Sequence, residues 1–374
     1  MQSCDTPYGS LQLQRYPTSR EDTLQAFDNA DLYLLQRLQE EPADGGPILV
    51  VNDSFGALAC ALATAGLETH SWGDSWMSWR ALQGNLAANN LDSARVQFFN
   101  STQTPDGCYR QVLLRIPKSL SLLQDQLQRL RPHLTGNALL LAGSMIKHLP
   151  PSAGDLLAAH IGPYQASLGW KKARLLQCRH DPVLQPRASN LSTHYPLDGT
   201  PLLLNNRPGV FSREKLDIGT RVLLPCIPSN LGSARIVDLG CGNGALGLMA
   251  ACRNPEAQLT FIDESWAAVA SAQDNFAAAF PGRSARFIVS DGLSEAEPGS
   301  ADLVLCNPPF HQQQVVGDQI ARRLFDQSRK ALAHGGELLV VGNRHLGYHQ
   351  TLRRYFTKVE QRAAAPKFVV LAAS

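Results

Sequence analysis

Asn307-Pro308-Pro309-Phe310 follows directly on the apolar run "ADLVLC". Proline has no backbone N–H and weakens a strand. Two of them at a strand end either make a turn or hold carbonyls and the asparagine amide out towards a ligand. The chemistry that suits such a group is activation of a planar exocyclic amine, whose lone pair is conjugated into its ring. Acceptors that draw its hydrogens out of the ring plane aim that lone pair at an electrophile. The Asn307 side-chain oxygen and the Pro308 carbonyl are two such acceptors. Pro309 stiffens the backbone, and alignment of the reactants supplies most of the rate. Phe310 offers a flat face for a base to stack on, worth roughly 1–3 kcal/mol. No strong general base is needed, because the departing proton leaves an already cationic amine. A paired base would have to be flipped out to reach such a pocket.

A second group lies upstream, in "VDLGCGNGALG". Gly240, Gly242 and Gly244 let the backbone turn sharply and approach a ligand without Cβ clashes, and Asn243 sits among them. Gly240-x-Gly242-x-x-Ala245 also fits a dinucleotide fingerprint, so the loop alone is ambiguous. Three acids tip the choice towards S-adenosylmethionine. Asp238, ahead of the glycines, would repel a pyrophosphate but suits a cationic amino-acid end. Asp263 closes the next strand, where a carboxylate accepts from both ribose hydroxyls. Asp291, followed by Gly292, closes a third strand and is placed to accept from the adenine amine. Taken singly, each acid is also what a helix cap or turn would use.

The elements that must position these residues alternate. "ARIVDLG", "QLTFIDES", "ARFIVSDG", "ADLVLCNPPF", "ELLVVGN" and "FVVLAA" read as strands. Helical stretches lie between them, including "QIARRLFDQSRKALAHGG", which is expected to end in a glycine cap. Continuous apolar strands separated by helices argue for a parallel, doubly wound sheet. The first half repeats this order faintly. "PILVVNDSFGALACALATAG" echoes "ARIVDLGCGNGALGLMAACR", and "QVLLRIPKS" echoes "DLVLCNPPF". Asp74 follows Gly56 by 18 residues and Asp263 follows Gly244 by 19, while Pro117 and Pro308 follow the same glycines by 61 and 64. The fold class is therefore α/β, with two tandem Rossmann-like domains. The domains are expected at 1–188 and 189–374, with a hairpin "HYPLDGTPLLLN" opening the second. In the first half the glycine loop has decayed: Asn52-Asp53 would stand at Asp238-Leu239, and Phe55 would crowd the ligand. Arg115 and Lys118 of "RIPK" would face the old active-site edge, which makes the first domain a module for recognising and positioning RNA.

Composition narrows the class. The chain has 374 residues, 44% hydrophobic and 18% charged, with a net charge of +2, so any nucleic-acid contact must rest on local patches. One candidate is Arg344, Arg353, Arg354, Lys358, Arg362 and Lys367 against the single acid Glu360, which also reads as an ordinary solvated face. No apolar run is long enough to span a membrane. Eight cysteines without a CxxC pair argue against zinc, and His311, His334, His345 and His349 lack metal-ligand spacing. His311 adjoins the motif and could line the pocket. Trp72, Trp76 and Trp79 suit packing, or a surface for stacking RNA bases. No metal, no membrane, a cytoplasmic location and a monomer are expected.

The motifs resemble the Asn-Pro-Pro-aromatic amino methyltransferases. More closely, the chain resembles the bacterial ribosomal RNA guanine-N2 methyltransferases, which carry a duplicated methyltransferase fold with one copy degenerate. The resemblance rests on "PGVFSREKLDIGTRVLL", "IVDLGCGNGALGL", "FIDES", "LCNPPFHQ" and "VGNRHLGY" and covers nearly the whole chain. It implies two class I methyltransferase domains, the N-terminal one degenerate. It also implies S-adenosylmethionine as donor, the residues above as its site, and Phe211 and Ser212 as minor cofactor contacts. The substrate class it implies is ribosomal RNA, naked or partly assembled. "LQLQRYP", "AFDNADLYLLQ" and "WKKARL" are similar to the branch that modifies 23S rather than 16S RNA. Methylation of 16S RNA, of a protein glutamine amide or of DNA adenine are related alternatives, and an NAD(P)-dependent oxidoreductase is the alternative of another class.

Overall fold

A computed structural model of the chain describes residues 1–18, 24–41, 45–187, 189–309 and 314–374, with only the backbone described for 314–317. Phe310, His311 and Ala188 lie outside the described residues. The chain forms two compact units, Met1–Leu191 and Ser192–Ser374.

Unit one runs β1 (Gln2–Thr6), β2 (Gly9–Leu13), α1 (Asn29–Glu40), β3 (Ile48–Val51), α2 (Ala57–Thr64), β4 (Thr69–Gly73), α3 (Trp76–Ala88), β5 (Val96–Asn100), β6 (Tyr109–Arg115), α4 (Leu120–Leu130), β7 (Leu134–Met145), α5 (Ala153–His160), β8 (Tyr164–Ala166) and β9 (Ala173–Arg179). Unit two repeats that order element for element. It runs β10 (Thr193–Pro196), β11 (Leu203–Asn206), α6 (Ile218–Leu223), β12 (Arg235–Leu239), α7 (Ala245–Arg253), β13 (Gln258–Asp263), α8 (Trp266–Ala279), β14 (Arg286–Val289), β15 (Ala301–Cys306), α9 (Gln314–Ala331), β16 (Leu332–Asn343), α10 (Tyr348–Leu352), β17 (Val359–Ala364) and β18 (Phe368–Ala373). Each unit has a seven-stranded sheet, ordered β5-β4-β3-β6-β7-β9-β8 and β14-β13-β12-β15-β16-β18-β17. In unit two the first five strands are parallel, β18 lies antiparallel beside β16, and β17, antiparallel to β18, runs with the first five again. Alternate residues of its central strands enter different cores: Ile236 and Leu305 one, Val237 and Val304 the other. Such two-sided burial is why these strands read as unbroken apolar runs. Strand order reverses between β12 and β15, which opens a crevice at their carboxyl ends.

The ladders allow the two units to be compared residue by residue. Val51 lies opposite Trp72 and Leu114, and Leu239 lies opposite Ile262 and Cys306. Asn52 therefore stands level with Gly240, and the backbone agrees, with φ of 61° and 72°. Gly56 and Gly244 open α2 and α7 with φ of 83° and 86°. Ser75 and Ser265 cap α3 and α8 by accepting from the third N–H beyond them. Three expected pairings move. Asp74 is level with Glu264 rather than Asp263, Asn52-Asp53 is level with Gly240-Cys241 rather than Asp238-Leu239, and Pro117 is level with Pro309 rather than Pro308. Counting on from the glycine fails for Asp74 and Pro117 because the segments after it differ in length, whereas counting back from it gives Asn52–Gly240 directly.

Other features were not legible in the pattern. Unit one opens with its own antiparallel hairpin, β1–β2, matching β10–β11. A buried asparagine on the helix after the second strand of each sheet straps each hairpin to that helix. Asn85 of α3 bonds both the N–H and the C=O of Gln14, and Asn275 of α8 does the same to Asn205. β17 was not foreseen. The expected glycine cap after α9 is absent too, because the helix stops at Ala331 and the chain passes straight into β16. Gly335 (φ 79°) instead falls between residues 332 and 337, where the β15–β16 register shifts.

Candidate active site

Gly240 and Gly242 adopt φ of 72° and 53°, and a Cβ built on either would meet nothing within 4 Å. The backbone there is a cradle that only side-chain-free residues leave open. Asp238 lies beneath it, 1% exposed. Its Oδ2 accepts from the Gly247 N–H of α7 at 2.8 Å. Its Oδ1 is buried with no hydrogen-bond partner among the described residues. Burial pushes this carboxyl up to about 8, against the pull of the Gly247 N–H and with a further push from Asp263. A half-satisfied buried carboxyl is costly, and it suits a cationic donor brought by a ligand. Asp263 ends β13; its Oδ2 accepts from the Gly242 N–H at 2.9 Å and its Oδ1 from the Ser265 N–H at 3.0 Å. It therefore shapes the loop. Asn243 turns inward: its Nδ2 donates to Tyr195 Oη and Asn206 Oδ1, both at 2.7 Å. Its side chain ties the loop to the β10–β11 hairpin. Gly244 is tight, since a Cβ there would come within 3.1 Å of Ala272.

Asp291 lies two residues beyond β14, 4% exposed. Arg323 of α9 holds its Oδ1 at 2.7 Å, so only the other oxygen remains for a ligand. Burial raises this carboxyl despite the guanidinium. Gly292 has φ 59°, and a Cβ there would strike Gln327 Oε1 at 2.3 Å. Gln327 also brackets the turn, accepting from the Leu293 N–H and donating to the Asp291 carbonyl. Phe211 is 56% exposed and Ser212 is left-handed with φ 54°, both on the segment leading to α6.

Asn307 follows the last residue of β15. Its Nδ2 donates to Asp217 Oδ2 at 3.0 Å and to Thr220 Oγ1 at 2.9 Å. A carboxylate only accepts, so these partners fix which end of the amide faces them. The Oδ1 end is left buried without a partner among the described residues. Pro308 is buried and Pro309 exposed. Asp217 is also the cap of α6, its same Oδ2 accepting from the Thr220 N–H at 3.0 Å. Asp217 and Thr220, which hold the Asn307 amide, are not among the residues singled out from the sequence. The "DIGT" spacing, a cap residue with threonine three on, was the available signal.

Unit one shows what the same frame becomes with other residues. Val50, Gly73 and Thr102 stand level with Asp238, Asp263 and Asp291. Asn52, where Gly240 is bare, exchanges hydrogen bonds with Gln126 of α4 and donates to the Arg115 carbonyl. Asp53 takes over the helix cap, accepting from Gly56 and Ala59. Arg115, level with Asn307, does not face outward as expected. Its guanidinium is held by Asp28 at 2.9 Å and by Asp31. Asp28 caps α1 and Asp31 follows three residues later, just as Asp217 and Thr220 do at α6. An ion triad thus fills the position where unit two presents an amide oxygen. Trp72 is buried at 1% with Arg129 over its ring, whereas Trp76 and Trp79 are half-buried beneath Arg80. In the basic run near the C-terminus, Arg362 and Lys358 are paired to Glu337 and Glu360. Among the described residues no group of His, Cys, Asp and Glu is arranged to hold a metal, and no helix is long and apolar enough to cross a membrane.

Residues 1–182 match the RLMG N-terminal domain and residues 201–372 the Methyltransferase small domain. "Ribosomal RNA large subunit methyltransferase G" of Stutzerimonas stutzeri (strain A1501) is 54% identical over 369 residues, covering 98% of each chain. The protein of the same name from Ectopseudomonas mendocina (strain ymp) is 53% identical over 370 residues, covering 99% of this chain and 98% of its own. Among solved structures, a T. thermophilus 16S rRNA N2 methyltransferase (RsmC), in complex with AdoMet and guanosine, superposes with a TM-score of 0.79. It is 21% identical and covers 100% of this chain and 97% of its own, so it shares the fold.

Proposed function

This chain belongs to the ribosomal RNA large subunit methyltransferase G family, and on that premise we propose that it methylates the exocyclic N2 amine of a specific guanine in 23S rRNA. The observation that carries the chemistry is the buried Asn307 Oδ1 at the end of β15, which has no partner among the described residues. Across the β12–β15 switch point lies the glycine cradle with the equally unpartnered Asp238 Oδ1. The two groups fit an amine to be methylated and a cationic cofactor. S-Adenosylmethionine, held by Asp238, the Gly240–Gly244 loop, Asp263 and Asp291, supplies the methyl group as an electrophile. The chain's own residues do the rest. Asn307 Oδ1 and the Pro308 carbonyl accept the amine hydrogens and turn its lone pair out of the ring plane. Asp217 and Thr220 keep the Asn307 amide from flipping. Pro308 and Pro309 hold the strand end rigid, and Phe310 stacks on the base. The T. thermophilus protein of the same fold, an N2 methyltransferase in complex with AdoMet and guanosine, fits this reading.

Unit one, with its acids replaced and its cradle filled by Asn52 and Gln126, acts as the RNA-positioning half. The protein works as a cytoplasmic monomer without metal, on naked or partly assembled RNA. The test is transfer of tritium from labelled donor to 23S transcript, 16S transcript and large-subunit particles lacking the modification. Nuclease digestion should place the label on N2-methylguanosine of 23S RNA. Label in protein, or in 16S RNA alone, would reject this reading.

A further inference from the structure

Between β8 and β9 the chain reverses in a two-residue turn. The Trp170 and Ala173 backbones exchange hydrogen bonds of 2.9 and 2.8 Å. The central residues, Lys171 and Lys172, are both left-handed, with φ of 44° and 66°. Turns of this hand favour Asn-Gly, because a side chain strains each position. Here two lysines stand instead, so the choice serves something other than making the turn. The turn is also bolted down. Asn29 Nδ2 donates to the Lys171 carbonyl at 2.9 Å and the Ile146 N–H to the Lys172 carbonyl at 2.8 Å. The Lys171 ammonium lies 4.6 Å over the Trp170 ring, which packs 5.5 Å from Tyr33.

The bond to Ile146 brings Lys172 beside the exposed Lys147 and His148. β6 and β7 pair in parallel with Arg115 opposite Gly143, so Lys118 leaves the same sheet edge as Lys147; burial, and then these two charges, hold His148 below its ordinary value against the pull of Asp28. The carboxylates of Asp28 and Asp31 at the start of α1 are taken up by Arg115. Four exposed lysines therefore share one edge of a unit that has sixteen basic and sixteen acidic side chains in all. Leu168, 88% exposed on the same hairpin, adds an apolar contact.

We propose that Lys171, Lys172, Lys147 and Lys118 form a ridge that binds the phosphodiester backbone of the RNA substrate. The bonded turn fixes where both side chains leave the backbone, and the Trp170 ring carries the Lys171 ammonium. This rests on the reading of the protein as an RNA methyltransferase. The test uses the full chain and in vitro transcribed 23S rRNA, with affinity measured from about 50 to 200 mM KCl. Lys171→Asn/Lys172→Gly restores the residues that the turn favours, so its melting temperature should rise while RNA affinity falls. The slope of log affinity against log salt should flatten by about 1.4–1.8, the value for two phosphate contacts. Lys147→Gln, which leaves the turn alone, should flatten it by about 0.7–0.9. Unchanged slopes in both variants overturn the ridge while the methyltransferase reading stands. Wild-type protein that neither binds nor methylates the transcript overturns the reading itself.

Discussion

Removing the acceptor that holds the Asn307 amide should slow methyl transfer without weakening cofactor binding. In Asp217→Ala, Asn307 Nδ2 loses its charged partner at 3.0 Å and keeps only Thr220 Oγ1 at 2.9 Å. A hydrogen bond to a charged group contributes about 1.5–3 kcal/mol and one to a hydroxyl about 0.5–1.5. Together they hold the productive orientation by roughly 2–4 kcal/mol, so a flipped amide is rarer than about one molecule in thirty. Asp217→Ala/Thr220→Val removes both bonds. The amide then samples three χ1 wells and two orientations, about six states, and kcat should fall some six- to tenfold. Asp217→Asn behaves differently. One oxygen, Oδ2, serves both the Thr220 N–H and Asn307 Nδ2, and an asparagine oxygen placed there keeps both bonds, so kcat should stay within about threefold of wild type. Loss of the α6 cap in the alanine variants costs about 0.5–2 kcal/mol of stability. The assay is therefore run well below the melting point, with kcat at saturating 23S transcript and S-adenosylhomocysteine affinity by calorimetry. Wild-type kcat in the double variant would refute the positioning role. So would an asparagine variant as slow as the alanine one, because charge rather than amide orientation would then be at work.

Asn307→Ala deletes the acceptor itself and should cost about 10²–10³ in kcat, with S-adenosylhomocysteine affinity unchanged by calorimetry. Gly240→Val puts a Cβ where the left-handed backbone costs about 1–2 kcal/mol and into the open cradle; a folded protein by circular dichroism that no longer binds S-adenosylhomocysteine is expected. Asp238 carries a folded-state carboxyl raised to about 8, mainly by burial, so the cofactor's ammonium must displace its proton. Affinity should climb between about pH 6 and 8 by up to about tenfold per unit, with proton release seen in buffers of different ionisation enthalpy, and Asp238→Asn should flatten the climb. Arg115→Met strands the carboxylates of Asp28 and Asp31 and should destabilise unit one by roughly 3–5 kcal/mol in urea unfolding, leaving cofactor affinity intact.

How much of this was legible in the sequence depended on whether the signal was local. The glycine loop, the strand-end acids and Asn307 each sit in a short stretch whose residue types declare themselves, and two Rossmann-like sheets followed from apolar runs between helices. What failed were long-range matters. Arg115 read as an outward charge because Asp28 and Asp31 lie 87 and 84 residues away from it. Asp217 and Thr220 lie in "PGVFSREKLDIGTRVLL", but nothing local ties them to Asn307, 90 and 87 residues on. Asn243 looked like a loop residue for a ligand, yet its partners Tyr195 and Asn206 come from the hairpin. The equivalences of Asp74 and Pro117 slipped by one residue where segment length changed, and that of Asn52-Asp53 by two because the sequence likeness there is weak; ladder register fixes all three.

The paired hairpins bear on how the catalytic half can be isolated. Similarity to the Methyltransferase small domain begins at residue 201, which suggests a cut there. Such a fragment would retain every glycine and acid of the site but lose β10, with Tyr195 and the fully buried Leu197. Asn243 would lose its bond to Tyr195, and β11 its pairing partner. A fragment opening at Ser192 keeps the whole hairpin and the Asn275 strap, and unit one carries the same pair of features. Expression boundaries and domain grafts should therefore keep the hairpin together with its asparagine strap rather than follow where sequence likeness fades.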